Sequence, residues 1–253
     1  MIDLHCHVLP GIDDGPATLE ASLALARVAK RAGLTTLVAT PHVSWRYLNG
    51  SDVIRHEVDA VRAAVRAAGL ELDIQAGAEI AVTRLGDLAD DELCALRLGH
   101  GPWLLVESPL TRGEENLELV LDAVHQRGHW IVLAHPERSP IFLRDPLRLG
   151  ALLSGGMLCS ITAGSLVGVF GREVRGFALA LLREGLVHNI TSDAHDAVRR
   201  PPILRADILA AAAYLPDLSA RIPWLTEDMP RAIIEGDALP KPPVPTHPPL
   251  GRR

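Results

Sequence analysis

Short runs rich in β-branched and other apolar residues alternate along the chain with longer stretches whose apolar positions recur every three or four residues. Seven of the short runs read as strands: residues 2–7, 36–40, 73–79, 103–107, 130–135, 157–162 and 187–193. The longer stretches read as helices, and two carry clear punctuation. Thr18 stands before 19–32 with Gly33 after it, and Ser51 stands before 52–68 with Gly69 after it. A side-chain acceptor thus opens each helix, and a residue tolerant of left-handed backbone closes it. Residues 114–127, 166–184 and 203–214 share the helical period, and Pro230 in TEDMPRAIIEG marks the opening turn of a short last helix. This alternation predicts an α/β fold of repeated βα units around a mostly parallel sheet.

A chain of 253 residues, 48% hydrophobic, suits one barrel-sized domain, placed here at residues 1–237. Residues 238–253 are proline-rich, with six prolines from Leu239 onward, and read as an extended, disordered tail. The formal charge is −6, and 23 of the 25 basic residues are arginines without a basic block. With only 4% aromatics as well, neither a phosphate-backbone stripe nor base-stacking platforms are expected, so no nucleic-acid partner is. The longest apolar run, 208–215, is far short of the ~20 residues of a membrane span. The N-terminal MIDLHCH is no charged leader, and a cytoplasmic protein is expected. Cys6, Cys94 and Cys159 lack CxxC spacing, so neither a disulfide framework nor a zinc ribbon is indicated.

The chemistry lies at the strand ends. His5 and His7 are two apart on the first strand, so the pleat puts both on one face and turns Cys6 to the other. The next strands run into His42, Glu79, Glu107 and His135, and the last into Asp193 and His195. In a closed parallel barrel the C-terminal strand ends share one mouth, so these eight side chains can converge. Five histidines and three carboxylates suit Mn, Fe, Zn or Co, and exceed the needs of one tetrahedral ion. Two or three ions are expected. Any one of the eight, alone, is better read as a surface or hydrogen-bonded residue; the joint placement argues otherwise. His56, His100, His125, His129, His188 and His247 fall on helices, loops or the tail and are given no site role.

Two arginines follow ligand positions closely: Arg138 in HPER and Arg200 after SDAH, with Arg199 a weaker alternative to Arg200. A guanidinium fork matches phosphate oxygens, so they suggest a phosphorylated substrate. In the GIDDG loop, Asp13 or Asp14 could brace a metal-bound histidine, or serve only as turn chemistry. Six residues beyond the three cysteines stand Ile12, His100 and Ser165, so no C-x5-R phosphatase loop exists. P-loop, nucleophile-elbow and dinucleotide motifs are absent too.

MIDLHCHVLPGIDDG, LVATPH, GAEI, LLVESP, LAHPER, ITAGSL with FG, TSDAH followed by RPP, and TEDMPRAIIEG occur in that order. Together they resemble the PHP (polymerase and histidinol phosphatase) superfamily over residues 1–237, and within it the bacterial manganese-dependent protein-tyrosine phosphatases of capsular and exopolysaccharide operons. The resemblance implies a distorted (β/α)7 barrel. It implies three Mn2+ ions, His5, His7, Glu107 and Asp193 holding one, with Glu79, Glu107, His135, His42 and His195 completing the cluster. It makes Arg138 and Arg200 the phosphate-holding pair, and the tyrosine-rich tail of a polysaccharide co-polymerase kinase the partner. Cys6 departs from the small or polar residues common there, and no catalytic thiol is expected.

The expected reaction is one-step hydrolysis of phosphotyrosine by metal-activated hydroxide, with His42, Asp193 or His195 protonating the phenolate. A PHP phosphatase for a small metabolite such as histidinol phosphate is the alternative enzyme. A binding module that has lost catalysis is the alternative of another class, and the full ligand set argues against it.

Overall fold

Parallel strands apolar on both faces need cover on both, and here helices cover the outer face while the strands close on themselves and pack the inner one. The computed structural model describes residues 1–111 and 116–243. The described strands are β1 (Ile2–Cys6), β2 (Thr36–Ala39), β3 (His42–Val43), β4 (Asp73–Ala76), β5 (Glu79–Ala81), β6 (Trp103–Glu107), β7 (Trp130–Ala134), β8 (Leu158–Thr162) and β9 (Asn189–Thr191). The described α-helices are α1 (Leu19–Arg31), α2 (Ser51–Ala67), α3 (Val82–Leu85), α4 (Asp90–Ala95), α5 (Leu117–Gln126), α6 (Pro140–Arg144), α7 (Pro146–Ser154), α8 (Ala163–Val167), α9 (Arg172–Arg183), α10 (Arg205–Ala212), α11 (Leu218–Pro223) and α12 (Met229–Glu235).

All strand pairings between these segments are parallel, in the orders β1-β2-β4 and β3-β5-β6-β7-β8-β9. The two sheets are halves of one ring. Ala39 pairs with Ala76 and His42 with Glu79 at the same offset, so β2 continues as β3 and β4 as β5. Pro41, which has no N–H, interrupts the first of these strands, and Gly77 interrupts the second. A Cβ on Gly77 would lie 2.9 Å from Val38 Cγ1 and 3.0 Å from Leu98 Cδ2, so the interruption has no room for a side chain. Opposite, Asp193 N donates to His5 O at 2.9 Å and His7 N to Ala194 O at 2.8 Å, joining the end of β9 to β1. Seven staves result, matching the seven expected runs, two of them broken.

Several expected elements shift in detail. Ser51 is the first helical residue rather than the cap; Gly50 occupies that position, and Glu92 of α4 accepts from Ser51 N and Oγ, both at 2.7 Å. Thr18 does cap α1, accepting from Ala21 N. The helix expected at 166–184 is two, because Gly168 and Gly171 take φ of 89° and 100° between α8 and α9. The start of the helix expected at 114–127 lies outside the described residues, as does the tail beyond residue 243. Pro240, within the expected tail, accepts a hydrogen bond from Trp224 Nε1 and so rests on the body of the protein. No described helix is long and apolar enough to cross a membrane.

Candidate metal centre

His5 on β1 and His7 just past its end point inward on alternate residues, and their Nε2 atoms come within 3.2 Å of each other. Pairing of β3 with β5 sets His42 directly beside Glu79. Glu79 Oε2 then lies 3.2 Å from His5 Nε2, 3.3 Å from His7 Nε2 and 3.0 Å from His42 Nδ1, while Oε1 lies 2.8 Å from His135 Nε2. Asp193 Oδ1 is 3.5 Å from both His5 Nε2 and His7 Nε2 and 3.6 Å from His195 Nδ1. All eight expected strand-end residues are therefore in one cluster at the barrel mouth, and most are buried. His135 (φ 36°) and Asp193 (φ 52°) are the two described non-glycine residues with left-handed backbone. That conformation is costly, and it occurs where the chain must turn a donor into the centre.

The donors fall into overlapping groups: His7, Asp14, His42 and His195; His5, His7 and Asp193; His5, Glu79 and His135; His42, Glu79 and Glu107. Shared members make them one continuous centre. Glu107 groups with His42 and Glu79, not with His5, His7 and Asp193, because β6 sits beyond β5 from β1. Asp14 is an additional donor, with Oδ1 3.4 Å from His42 Nε2 and 3.3 Å from His195 Nε2. Asp13 does the bracing instead: its Oδ2 contacts His7 Nδ1 at 2.7 Å and its Oδ1 accepts from Gly15 N. Neighbours in GIDDG thus have distinct places, which the residue types alone did not separate.

Arg138 and Arg200 both reach the centre, at 2.6 and 2.7 Å from Asp193 Oδ2. The Phe170 ring lies against the Arg138 guanidinium at 4.3 Å. Arg199 is exposed and leans on Asp196, so Arg200 is the arginine at the centre. Glu137, between His135 and Arg138, is fully buried; it accepts from Thr162 N at 2.9 Å and Ser165 Oγ at 2.6 Å, fastening HPER to the β8–α8 junction. Sequence reasoning gave it no role, and a carboxylate bonded across two elements has no local pattern. Away from the centre, His129 contacts Asp90 and Arg97, and His188 Nδ1 accepts from Cys159 N. His56 and His100 are exposed, His125 packs edge-on to Trp130, and His247 lies outside the described residues.

The electrostatics favour cations. Burial raises Glu107 to about 7, helped by the charge of Glu79. Burial would lower His7, but Asp13, Asp193 and Glu79 together raise it well above the usual imidazole range. Asp193 is held well below the usual carboxylate range: burial opposes this, and His5, His7, His135 and Arg200 overcome it. Burial pushes the Cys6 and Cys159 thiols up, so neither is poised as a nucleophile. Glu79 Oε2 makes no hydrogen bond of acceptable geometry although three imidazole nitrogens stand within 3.3 Å, and the Nε2 atoms of His5 and His7 face each other. Imidazole nitrogens and carboxylates converging at this spacing, with Glu79 Oε2 left unbonded among them, fit divalent ions between them. The residues present fit a metal cluster.

The family model described as "Capsular polysaccharide synthesis, CpsB/CapC" matches residues 1–215. The chain belongs to the CpsB/CapC family. Among curated CpsB/CapC relatives, the tyrosine-protein phosphatase YwqE of Bacillus subtilis (strain 168) is 34% identical over 203 residues, covering 79% of either chain. The putative tyrosine-protein phosphatase CapC of Staphylococcus aureus is 30% identical over 208 residues, or 81% of either. A chain from the solved structures of YwqE from Bacillus subtilis and CpsB from Streptococcus pneumoniae, described as unique metal-dependent tyrosine phosphatases, superposes with a TM-score of 0.82 at 28% identity, covering 98% of this chain and 100% of that one. The lactonase Lmo2620 of Listeria monocytogenes, at 13% identity and a TM-score of 0.55, shares the fold alone.

Proposed function

We propose that this CpsB/CapC protein is a metal-dependent protein-tyrosine phosphatase of capsule or exopolysaccharide synthesis. The observation that carries the reading is one centre of five imidazoles and four carboxylates, mostly buried and with Asp14 at its open side, with two arginines on its Asp193. The tyrosine-protein phosphatases among its relatives support the same activity. His5, His7, His42, Glu79, Glu107, His135, Asp193 and His195 would hold the ions, with Asp14 as a further ligand. Three Mn2+ ions are proposed, with Fe, Co or Zn as substitutes that the same donors accept. When bound, the ions supply positive charge for the phosphoryl oxygens and the water activation that hydrolysis needs.

The protein's own groups do the rest. Arg138 and Arg200, gathered on one carboxylate oxygen, offer N–H forks that turn to the phosphoryl oxygens when substrate enters. Asp193, paired with both, is kept ionised and is a poor proton donor. That leaves His42 and His195, each beside Asp14, as the imidazoles that would pass a proton to the departing phenolate oxygen, from the ring nitrogen that does not hold an ion. The partner proposed is a phosphotyrosine protein, the tail of a polysaccharide co-polymerase tyrosine kinase. His5→Ala and Asp193→Ala should each abolish release of phosphate from a phosphotyrosine peptide while circular dichroism stays native. Full activity of both variants would overturn the assignment.

A further inference from the structure

The loop after β3 forms a small hairpin on the rim of the centre. Val43 and Leu48 bridge antiparallel, Ser44 N donates to Tyr47 O at 2.9 Å, and Ser44 Oγ accepts from Arg46 N and Tyr47 N. Asn49 Nδ2 ties the hairpin base to His42 O at 2.8 Å and Ile12 O at 2.9 Å. Tyr47 stacks on the His42 ring, with planes 9° apart, so the hairpin is registered on a residue of the metal cluster. Its tip faces solvent. Trp45 is 60% exposed, although an indole of that size is normally covered.

The rest of the ledge comes from the neighbouring stave. Arg84, five residues past Glu79 on α3, lays its guanidinium on the Trp45 ring at 4.3 Å. Arg46 covers Tyr47 at 5.1 Å. Among the described residues no carboxylate lies within ion-pair distance of Arg46 or Arg84, and Arg84 Nε is buried without a hydrogen-bond partner. Two arginines with no carboxylate partner among the described residues and an exposed indole thus stand together beside the mouth. The cation–π contacts hold the two arginines in place and leave the outer face of the indole open to solvent.

We propose that Trp45 and Arg84, with Arg46, form a subsite for the polypeptide flanking the phosphotyrosine, and that it selects an acidic residue there. This rests on the phosphatase reading and adds to it where selectivity resides. Arg84 and Arg46 meet the flanking carboxylate, and Trp45 packs on the peptide and keeps Arg84 in place by cation–π contact. A small phosphate ester without flanking residues does not reach the ledge.

The test compares p-nitrophenyl phosphate with two phosphotyrosine peptides, one flanked by Glu and one by Lys, in the Mn-loaded wild type, Trp45→Ala and Arg84→Met. Peptide affinity is also measured by calorimetry with a non-hydrolysable phosphonate analogue of each peptide. Wild type should prefer the Glu peptide by about tenfold in kcat/KM and in affinity, and both variants should lose most of that preference while p-nitrophenyl phosphate turnover stays within about twofold. Equal turnover and affinity for the two peptides in wild type would overturn the subsite, as would variants that lose peptide and p-nitrophenyl phosphate alike. If wild type hydrolyses none of the three but still binds the Glu analogue through Trp45 and Arg84, the subsite stands and the phosphatase reading falls.

Discussion

Asp13 shows how one residue outside the ligand set governs the centre. Its carboxylate takes His7 Nδ1 at 2.7 Å and the backbone N–H groups of Gly15 and His42, so it fixes which nitrogen of His7 faces the metals. Removing such a brace commonly costs about 10–100-fold in metal affinity or activity. Asp13→Asn should therefore raise the Mn2+ concentration needed for half-maximal activity by about tenfold or more with the fold intact; an unchanged metal titration would contradict the role. His188 makes a prediction far from the centre. Burial lowers its pKa from 6.5 to about 4, so it is neutral in the fold and its ring nitrogen is free to accept from Cys159 N. A depressed histidine contributes stability that is complete above about pH 6.5 and is lost as pH falls toward about 4, because the unfolded chain takes the proton first. That displacement corresponds to about 3 kcal/mol. In urea denaturation of the metal-free protein, His188→Gln should lose less stability than wild type between pH 7 and pH 4.5. Parallel losses would remove His188 from the account.

At the scale of elements, the donors were legible because each is a local feature: a polar residue at the end of an apolar run, where the pleat and the barrel mouth dictate its direction. What the pattern could not supply were contacts between elements. Glu92 of α4 finishing the start of α2, Glu137 fastening HPER to the β8–α8 junction, and Arg84 lying on Trp45 join residues 28 to 41 apart or on separate staves. The breaks at Pro41 and Gly77 are hidden in the sequence for another reason. A run interrupted for one or two residues keeps its alternation, so β2 and β3 read as one strand. Asp13 and Asp14 are equivalent in sequence because only the fold of GIDDG separates their partners. Close backbone approach is equally invisible in sequence. A Cβ on Gly101, before β6, would fall 1.8 Å from Ile233 O of α12, so Gly101→Ala must push that helix away. Overpacking of this kind costs about 1–3 kcal/mol. A chemical-denaturation midpoint equal to wild type would show that the contact is looser than described.

For the whole molecule, the decisive fact is closure. Hydrogen bonds from Asp193 and His7 across to β1 and Ala194 turn an open parallel sheet into a ring, and the same junction places Asp193 against His5 and His7. The residues that close the ring, Asp193 and His7, are also donors of the centre. The family match over residues 1–215 takes in every proposed ligand and both arginines, so the whole centre falls within the region shared with CpsB/CapC proteins. This centre should hydrolyse phosphotyrosine only with metal in place. The most direct measurement strips the protein with chelator, restores Mn2+, and follows phosphate release from a phosphotyrosine peptide, a phosphoserine peptide and histidinol phosphate. The phosphotyrosine peptide should be preferred, with turnover that vanishes on chelation and returns with metal. Turnover that survives complete chelation, or a preference for histidinol phosphate, would rule out a metal-dependent tyrosine phosphatase.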